Sequence, residues 1–452
     1  MKFSKKLLLG LGSSLTGLAS IATVISCAQD SVTDYSGIKA YVSTRDTEVK
    51  QAVEKKEIQD LKITLLTAGG NVNDKSFNQS LWEAISQHSS QADRKDNKYI
   101  LGNSSKLEDS YNALMSQDSN VWVLTGFQHG DQFAPWYAKN KENFDKKGII
   151  VIAIDWDAED SKVPAGKFIS LNYNTDEAGW IAGYAIADYL ATKETNDENR
   201  KVVTFAGGAG AGVTDFIAGY LSGIKKYNSE NSKVTKLHTD NLELNAGFVS
   251  SDSKSDAIVN GVVATGAKVI LPVAGSLTSN TLNHIKTANK SQLIIGVDTD
   301  QSKAFEKDKN LFFTSIEKRL GNTLYRVITD LFVKKGNKSD IISGFEFGKT
   351  NAHLKLGYHD GFVGVSPSSI EDKVAADASL KKAEDKFKEL VTVENKSNVK
   401  TILEIPSLSA LGEGNKEKLE NIVKEINKQT GKTTSSSTEA TTSTSESSES
   451  RS

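Results

Sequence analysis

Residues 62–85 read "KITLLTAGGNVNDKSFNQSLWEAI", an apolar run, a polar turn and a second apolar pattern of different period. "KITLL" (62–66) is continuous rather than alternating, as a strand buried on both faces of a parallel sheet should be. After the turn, Phe77, Leu81, Trp82 and Ile85 fall on one face of a helix. Asp74 and Ser76 stand where a helix begins, which leaves Phe77 and Asn78 to face whatever lies beyond the strand's end.

The same unit recurs along the chain. Further continuous runs are "VWVLT" (121–125), "IIVIAI" (149–154), "KVVTFA" (201–206), "KVILPV" (268–273), "LIIGV" (293–297) and "LFFTSI" (311–316). Helical patterns separate them, among them 172–191, where Asn174 and Glu177 have capping-box spacing, and 213–227 with Phe216, Ile217, Leu221 and Ile224 on one face. Strand and helix alternating in this way predict an α/β fold, and 452 residues suit two domains better than one. Polar or Gly-rich turns follow the strands, and in open α/β sheets ligands bind outside the carboxyl ends of the strands. Two such sheets facing each other would enclose a cleft.

A net charge of −2 lacks the cationic excess that nucleic acid demands, so nucleic acid is excluded as a partner. The single cysteine, Cys27, excludes an intramolecular disulfide and a Cys-based metal site. Before it come Lys2, Lys5 and Lys6, then the uncharged stretch 7–26, the layout of a secretory signal. An uncleaved transmembrane helix is the alternative, diluted by Ser, Thr and Gly. Val24, Ile25 and Ser26 before Cys27 resemble a bacterial lipobox, which implies cleavage before Cys27, acylation of its thiol and a lipid anchor outside the cell. Residues 27–57 read as a polar linker, and 429–452 as a disordered Ser/Thr-rich tail.

"GGAGAG" (207–212) sits between a strand and a helix, but its spacing matches neither G-x-G-x-x-G nor a P-loop; a tight turn near a ligand explains the glycines equally well. No nucleotide cofactor is expected. The six histidines have no metal-ligand spacing, and His129 in "GFQHGD" reads as a rim residue. No G-x-S-x-G elbow is present, so enzyme activity has no positive support. Aromatics and carboxylates at strand ends are the better lead: Phe77, Phe127, Trp156 and Phe248 offer stacking faces, and Asp155, Asp298 and Lys318 offer partners for hydroxyl groups. The alternative assigns Phe77 and Phe248 to helix faces or core, and the two aspartates to helix caps.

The order of "GGNVNDKSFNQSLWEAI", "VTFAGGAGAGVTDFIAGYLSGIKKYN", "GAKVILPVAGS", "IIGVDTDQ", "FFTSIEKR" and "LKLGYHDGFVGV" resembles the basic membrane protein family, similar to the purine nucleoside receptor lipoproteins of ABC transporters. The resemblance covers roughly residues 60–365. It implies a type I periplasmic-binding fold, two Rossmann-like lobes with parallel sheets joined by three hinge crossovers near Asn172, Ser315 and Gly348. Lobe 1 would comprise 58–172 and 316–347, and lobe 2 173–315 and 348–428. By the same resemblance Phe77 and Phe248 would sandwich a purine, Asn78 would bond its edge, and Asp155 and Asp298 would hold ribose hydroxyls with help from Lys318. Val213 and Gly275 would line the pocket. The implied protein is a monomeric, non-enzymatic binding lipoprotein serving a membrane permease. The alternative is an adhesive or immunogenic surface lipoprotein with an altered pocket. One position departs from the family: Ala68 stands where the nucleoside receptors carry an aspartate that contacts ligand, which leaves the identity of the ligand open.

Overall fold

The computed structural model describes residues 23–24, 33–333 and 341–432. Most of the expected signal peptide, the lipidation site Cys27 and the tail beyond residue 432 lie outside the described residues. The chain runs through β1 (Thr23–Val24), α1 (Lys39–Glu54), β2 (Ile63–Thr67), α2 (Phe77–Gln91), β3 (Lys98–Leu101), α3 (Leu107–Met115), β4 (Val121–Thr125), α4 (His129–Lys147), β5 (Ile150–Ile154) and β6 (Phe168–Tyr173). It then crosses into α5 (Thr175–Lys193), β7 (Lys201–Ala206), α6 (Ala211–Glu230), β8 (Lys236–Leu237), α7 (Ser253–Ala264), β9 (Val269–Val273), α8 (Leu277–Thr287), β10 (Leu293–Asp298), α9 (Gln301–Ala304) and β11 (Phe312–Lys318). It returns through α10 (Leu320–Phe332) and β12 (Ala352–Leu356), and finishes with β13 (Val363–Val365), α11 (Lys373–Leu390), α12 (Val399–Ile402) and α13 (Asn415–Lys428).

These strands make two sheets, ordered β1-β3-β2-β4-β5-β6-β12 and β13-β11-β10-β9-β7-β8. Every pairing is parallel except β1 with β3 and β11 with β13. All residues of β2, β4, β5 and β9 are buried, which is why their sequences read as unbroken apolar runs. The two sheets with their helices are the lobes of a type I periplasmic-binding fold.

Packing in the second lobe turns on four glycines. A Cβ on Gly183 would stand 2.0 Å from the Tyr220 carbonyl oxygen, and one on Gly219 would stand 2.0 Å from that of Asp176. Gly179 and Gly223 are equally closed off, by the carbonyls of Phe216 and Trp180. The pairs at i, i+4 on each helix let α5 and α6 touch backbone to backbone, and this fixes the Gly-rich turn that opens α6.

Three sequence-based expectations are corrected. Ser315 lies inside β11 of the second sheet, so the return crossing follows Lys318; Gly348 precedes β12, which pairs with β6, so the last crossing follows Leu356. β12 escaped notice because it is an edge strand with an exposed face rather than a continuous apolar run. Residues 39–54 are not linker but α1, docked on α2 and α10. Ile38, Val49 and Ala52 are buried, and Arg45 Nη1 bonds Asp330 Oδ1 at 2.9 Å. The Asn174–Glu177 capping box is not formed: Asn174 Nδ2 donates to Glu177 Oε1 at 3.0 Å, and Glu177 Oε2 accepts from the Tyr358 backbone N–H at 2.6 Å.

Candidate functional site: the cleft between the lobes

The carboxyl ends of both sheets face one cleft. Phe77, Asn78, Asp155, Val213, Phe248, Gly275, Asp298 and Lys318 all line it, so the fold brings together residues spread over most of the chain. Ala68, Thr125, Gln128, Phe127 and Phe216 complete much of the wall.

The first-lobe wall is built by the turn before α2. Asp74 accepts from the backbone N–H groups of Ser76, Asn78 and Gln79 at 3.0, 3.0 and 3.1 Å, and from Asn78 Nδ2 at 3.0 Å. This satisfies the orphan donors at the start of α2 and turns Phe77 and Asn78 into the cleft. Burial pushes the Asp74 carboxyl up to about 6, against the pull of those donors. Asn78 is held on both sides: Nδ2 also donates to Gly69 O at 3.1 Å, and Oδ1 accepts from Thr125 Oγ1 at 3.1 Å. With both amide protons engaged, what it can still offer a ligand is the second lone pair of Oδ1.

Each lobe supplies one aspartate at a strand end, and each aspartate is bonded by the opposite lobe. Asp155, following β5, is paired with Lys318 at the end of β11. Asp298, ending β10, accepts from Ser76 Oγ at 2.5 Å. Both take left-handed backbone, φ 65° and 67°, a conformation few residues other than glycine adopt. Burial raises both carboxyls; Asp155 reaches about 6 despite Lys318. In each carboxylate Oδ1 has no hydrogen-bond partner among the described residues. Lys318 Nζ lies 5.3 Å from the Phe77 and Tyr173 ring centres and 5.6 Å from that of Phe216, so its charge is held between one acid and three aromatic faces.

The second-lobe wall explains "GGAGAG". A Cβ on Gly207 would fall 2.5 Å from the Phe248 ring, and one on Gly210 would fall 2.4 Å from the Phe127 ring. The glycines make room for aromatic side chains, which favours the tight-turn reading over the phosphate-binding one. Two sequence-based expectations fail here. Trp156 is core: its indole Nε1 donates to Leu124 O at 3.0 Å and its ring packs on Phe133 and Phe168. His129 is fully buried, bonded through Nδ1 to the Tyr111 hydroxyl at 2.7 Å, and burial pushes it down to about 3.

Sequence reading missed the bridging role of Ser76, whose closest partner is 222 positions away, and the contributions of Thr125 and Phe216. It also missed a loop near the C-terminus. Buried Asn415 accepts from the Ser409 N–H at 2.7 Å and donates to Ala209 O and Ser409 O, each at 2.8 Å. This ties residues 409–412 to the Gly-rich turn and carries Leu411 across to the first lobe, 3.6 Å from where a Cβ on Gly130 would be.

Comparison with known proteins bears on this geometry. The family model described as ABC transporter substrate-binding protein PnrA-like (Bmp) matches residues 62–402. The ABC transporter nucleoside-binding protein BmpA of Lactococcus lactis subsp. cremoris is 28% identical over 335 residues, 70% of this chain and 82% of that protein. Basic membrane protein B of Borrelia garinii subsp. bavariensis is 25% identical over 312 residues, 68% of this chain and 81% of that one. Among solved structures, an ABC transporter solute-binding protein from Aeropyrum pernix K1 superposes with a TM-score of 0.57 at 16% identity, covering 82% of this chain and 99% of that one, a likeness of fold.

Proposed function

This chain belongs to the PnrA-like family of ABC transporter substrate-binding proteins, an extracytoplasmic solute-binding family rather than an enzyme family, and from that premise we propose that its cleft binds a nucleoside, a purine nucleoside first of all. The observation that carries the reading is the division of the cleft. Phe77 and Phe248 line it together with two aspartates that each keep one oxygen without a partner among the described residues. A base stacks between the rings, Asn78 Oδ1 accepts from its edge, and Asp155 and Asp298 accept from ribose hydroxyls, with Val213 and Gly275 shaping the wall. The L. lactis relative, nucleoside-binding by name, supports this reading.

Function then requires no bond-making. A ligand that touches both lobes favours the closed arrangement over an open one by its difference in affinity for the two. The bound form is what a permease would recognise, and the protein works as a monomer. We place it on the extracellular face of the membrane, anchored through acylated Cys27; among the described residues no helix is long and apolar enough to cross a bilayer. Cys27→Ser should leave an unprocessed precursor without acyl label, and persistent labelling would refute the anchor.

Thermal unfolding with a nucleoside panel tests the ligand. A nucleoside at about 100 times its Kd should add about 2.7 kcal/mol of stability. A panel without any shift would favour the alternative surface-lipoprotein role.

A further inference from the structure

A second cavity opens beside the cleft. It shares Ala68, Gly69, Asp74, Phe248 and Ser276 with the cleft and none of Asp155, Asp298 or Lys318, so it adjoins the aromatic end and not the end with the two aspartates. Its lining includes the neutral polar residues Asn71, Asn73, Asn103, Ser104, Ser250 and Ser251 beside the apolar Leu101, Val249 and Phe305. Two charged residues stand at its wall, Asp74 and Lys75. Asp74 is occupied by the four donors at the start of α2, and Lys75 Nζ donates to Ala304 O at 3.2 Å while lying 4.4 Å from the Phe305 ring centre. Ala68, Gly69 and Phe248 border both spaces, and a Cβ on Gly69 would stand 4.0 Å from the Phe248 ring. A ligand whose aromatic portion lies on Phe248 therefore borders a space that offers hydrogen-bonding partners, with the Lys75 ammonium at its wall.

We propose that this side cavity is a subsite for an uncharged, polar substituent on the base, so that the preferred ligand is a substituted nucleoside rather than a plain one. The inference rests on the nucleoside reading of the cleft. Asparagine and serine side chains suit a hydroxylated or amide-bearing group; a cationic one would meet the Lys75 ammonium, and a long apolar one would leave the polar lining unpaired.

The test is calorimetric titration of the purified protein with adenosine and with adenosines bearing a hydroxyethyl group at C2, N6 or C8. At least one substituted compound should bind tenfold or more tighter than adenosine. Ser250 and Ser104 are exposed loop residues, so Ser250→Trp and Ser104→Trp should fold and fill the cavity. They should abolish the advantage of the substituted compound while leaving adenosine within about threefold of the parent. Adenosine binding with no gain from any substituent, or a gain that survives both tryptophans, overturns the subsite alone. Failure of every nucleoside, plain and substituted, overturns the nucleoside reading together with it.

Discussion

The ends of β5 and β10 use one backbone device in two electrostatic settings. Asp155 and Asp298 stand at matching places in the two lobes, both in left-handed conformation and both bonded from across the cleft. One is bonded by an ammonium, the other by a hydroxyl. In the first, a charged pair is buried on both sides, with 1% and 7% of the side chains exposed. In the second, a carboxylate is held by a neutral donor. Both bonds run between the lobes, and the Asp155 side carries more of the electrostatic risk, since removing either partner leaves a buried, uncompensated charge.

Breaking the charged side should have the largest effect. Lys318→Met leaves Asp155 buried without its cation and should cost about 3–5 kcal/mol of stability, read by chemical denaturation. The loss should shrink as pH falls and Asp155 takes a proton. Next comes the pair Asp155→Asn and Asp298→Asn, each removing a charge-assisted bond to a ligand hydroxyl for about 1.5–3 kcal/mol of affinity. Titration against a nucleoside and its 2′-deoxy analogue checks this: the deoxy analogue should lose less than the parent ligand in the variant whose partner hydroxyl it lacks. Ser76→Ala removes the neutral bridge alone and should cost about 0.5–1.5 kcal/mol, with stability and affinity falling together.

A pH series separates the two roles of the acids. Folded Asp74 and Asp155 titrate at about 6, above the ordinary value of 3.8, so the folded state binds more protons between those limits. Stability of the ligand-free protein from these groups is therefore present below about pH 4 and lost as pH rises through about 6. Affinity should run the other way, falling as pH drops below about 6 and Asp155 ceases to be an anionic acceptor. Parallel curves would contradict the assignment of Asp155. The smallest effect is expected at the C-terminal loop: Leu411→Ser should speed ligand release by a few-fold without changing the unfolding midpoint, measured by stopped-flow.

Much of this was legible beforehand, for definite reasons. Strands buried on both faces read as unbroken apolar runs, so both sheets were visible from "KITLL" to "LFFTSI". Strand ends locate ligands in such folds, which brought Phe77, Phe248, Asp155, Asp298 and Lys318 forward as candidates. What stayed hidden depends on contacts across the fold. β12 alternates as an edge strand does, and α1 buries Val49 and Ala52, with Ile38 just before it, within a stretch polar enough to pass as linker. Gly179, Gly183, Gly219 and Gly223 were visible as residues, but only the approach of α5 to α6 gives them meaning. Ser76 looked like a helix-start serine, and its bond to Asp298 exists only once the lobes meet. His129 and Trp156 show the converse error, side chains beside a strand end that turn back into the core.

The central claim is that one nucleoside is held between Phe77 and Phe248 by two aspartates from opposite lobes. Calorimetric titration of the parent and of Asp298→Ala with purine nucleosides tests it most directly. The account predicts saturable one-to-one binding by the parent and a loss of tenfold or more in the variant. Parent-like affinity in Asp298→Ala, or no binding of any nucleoside to the parent, would contradict it.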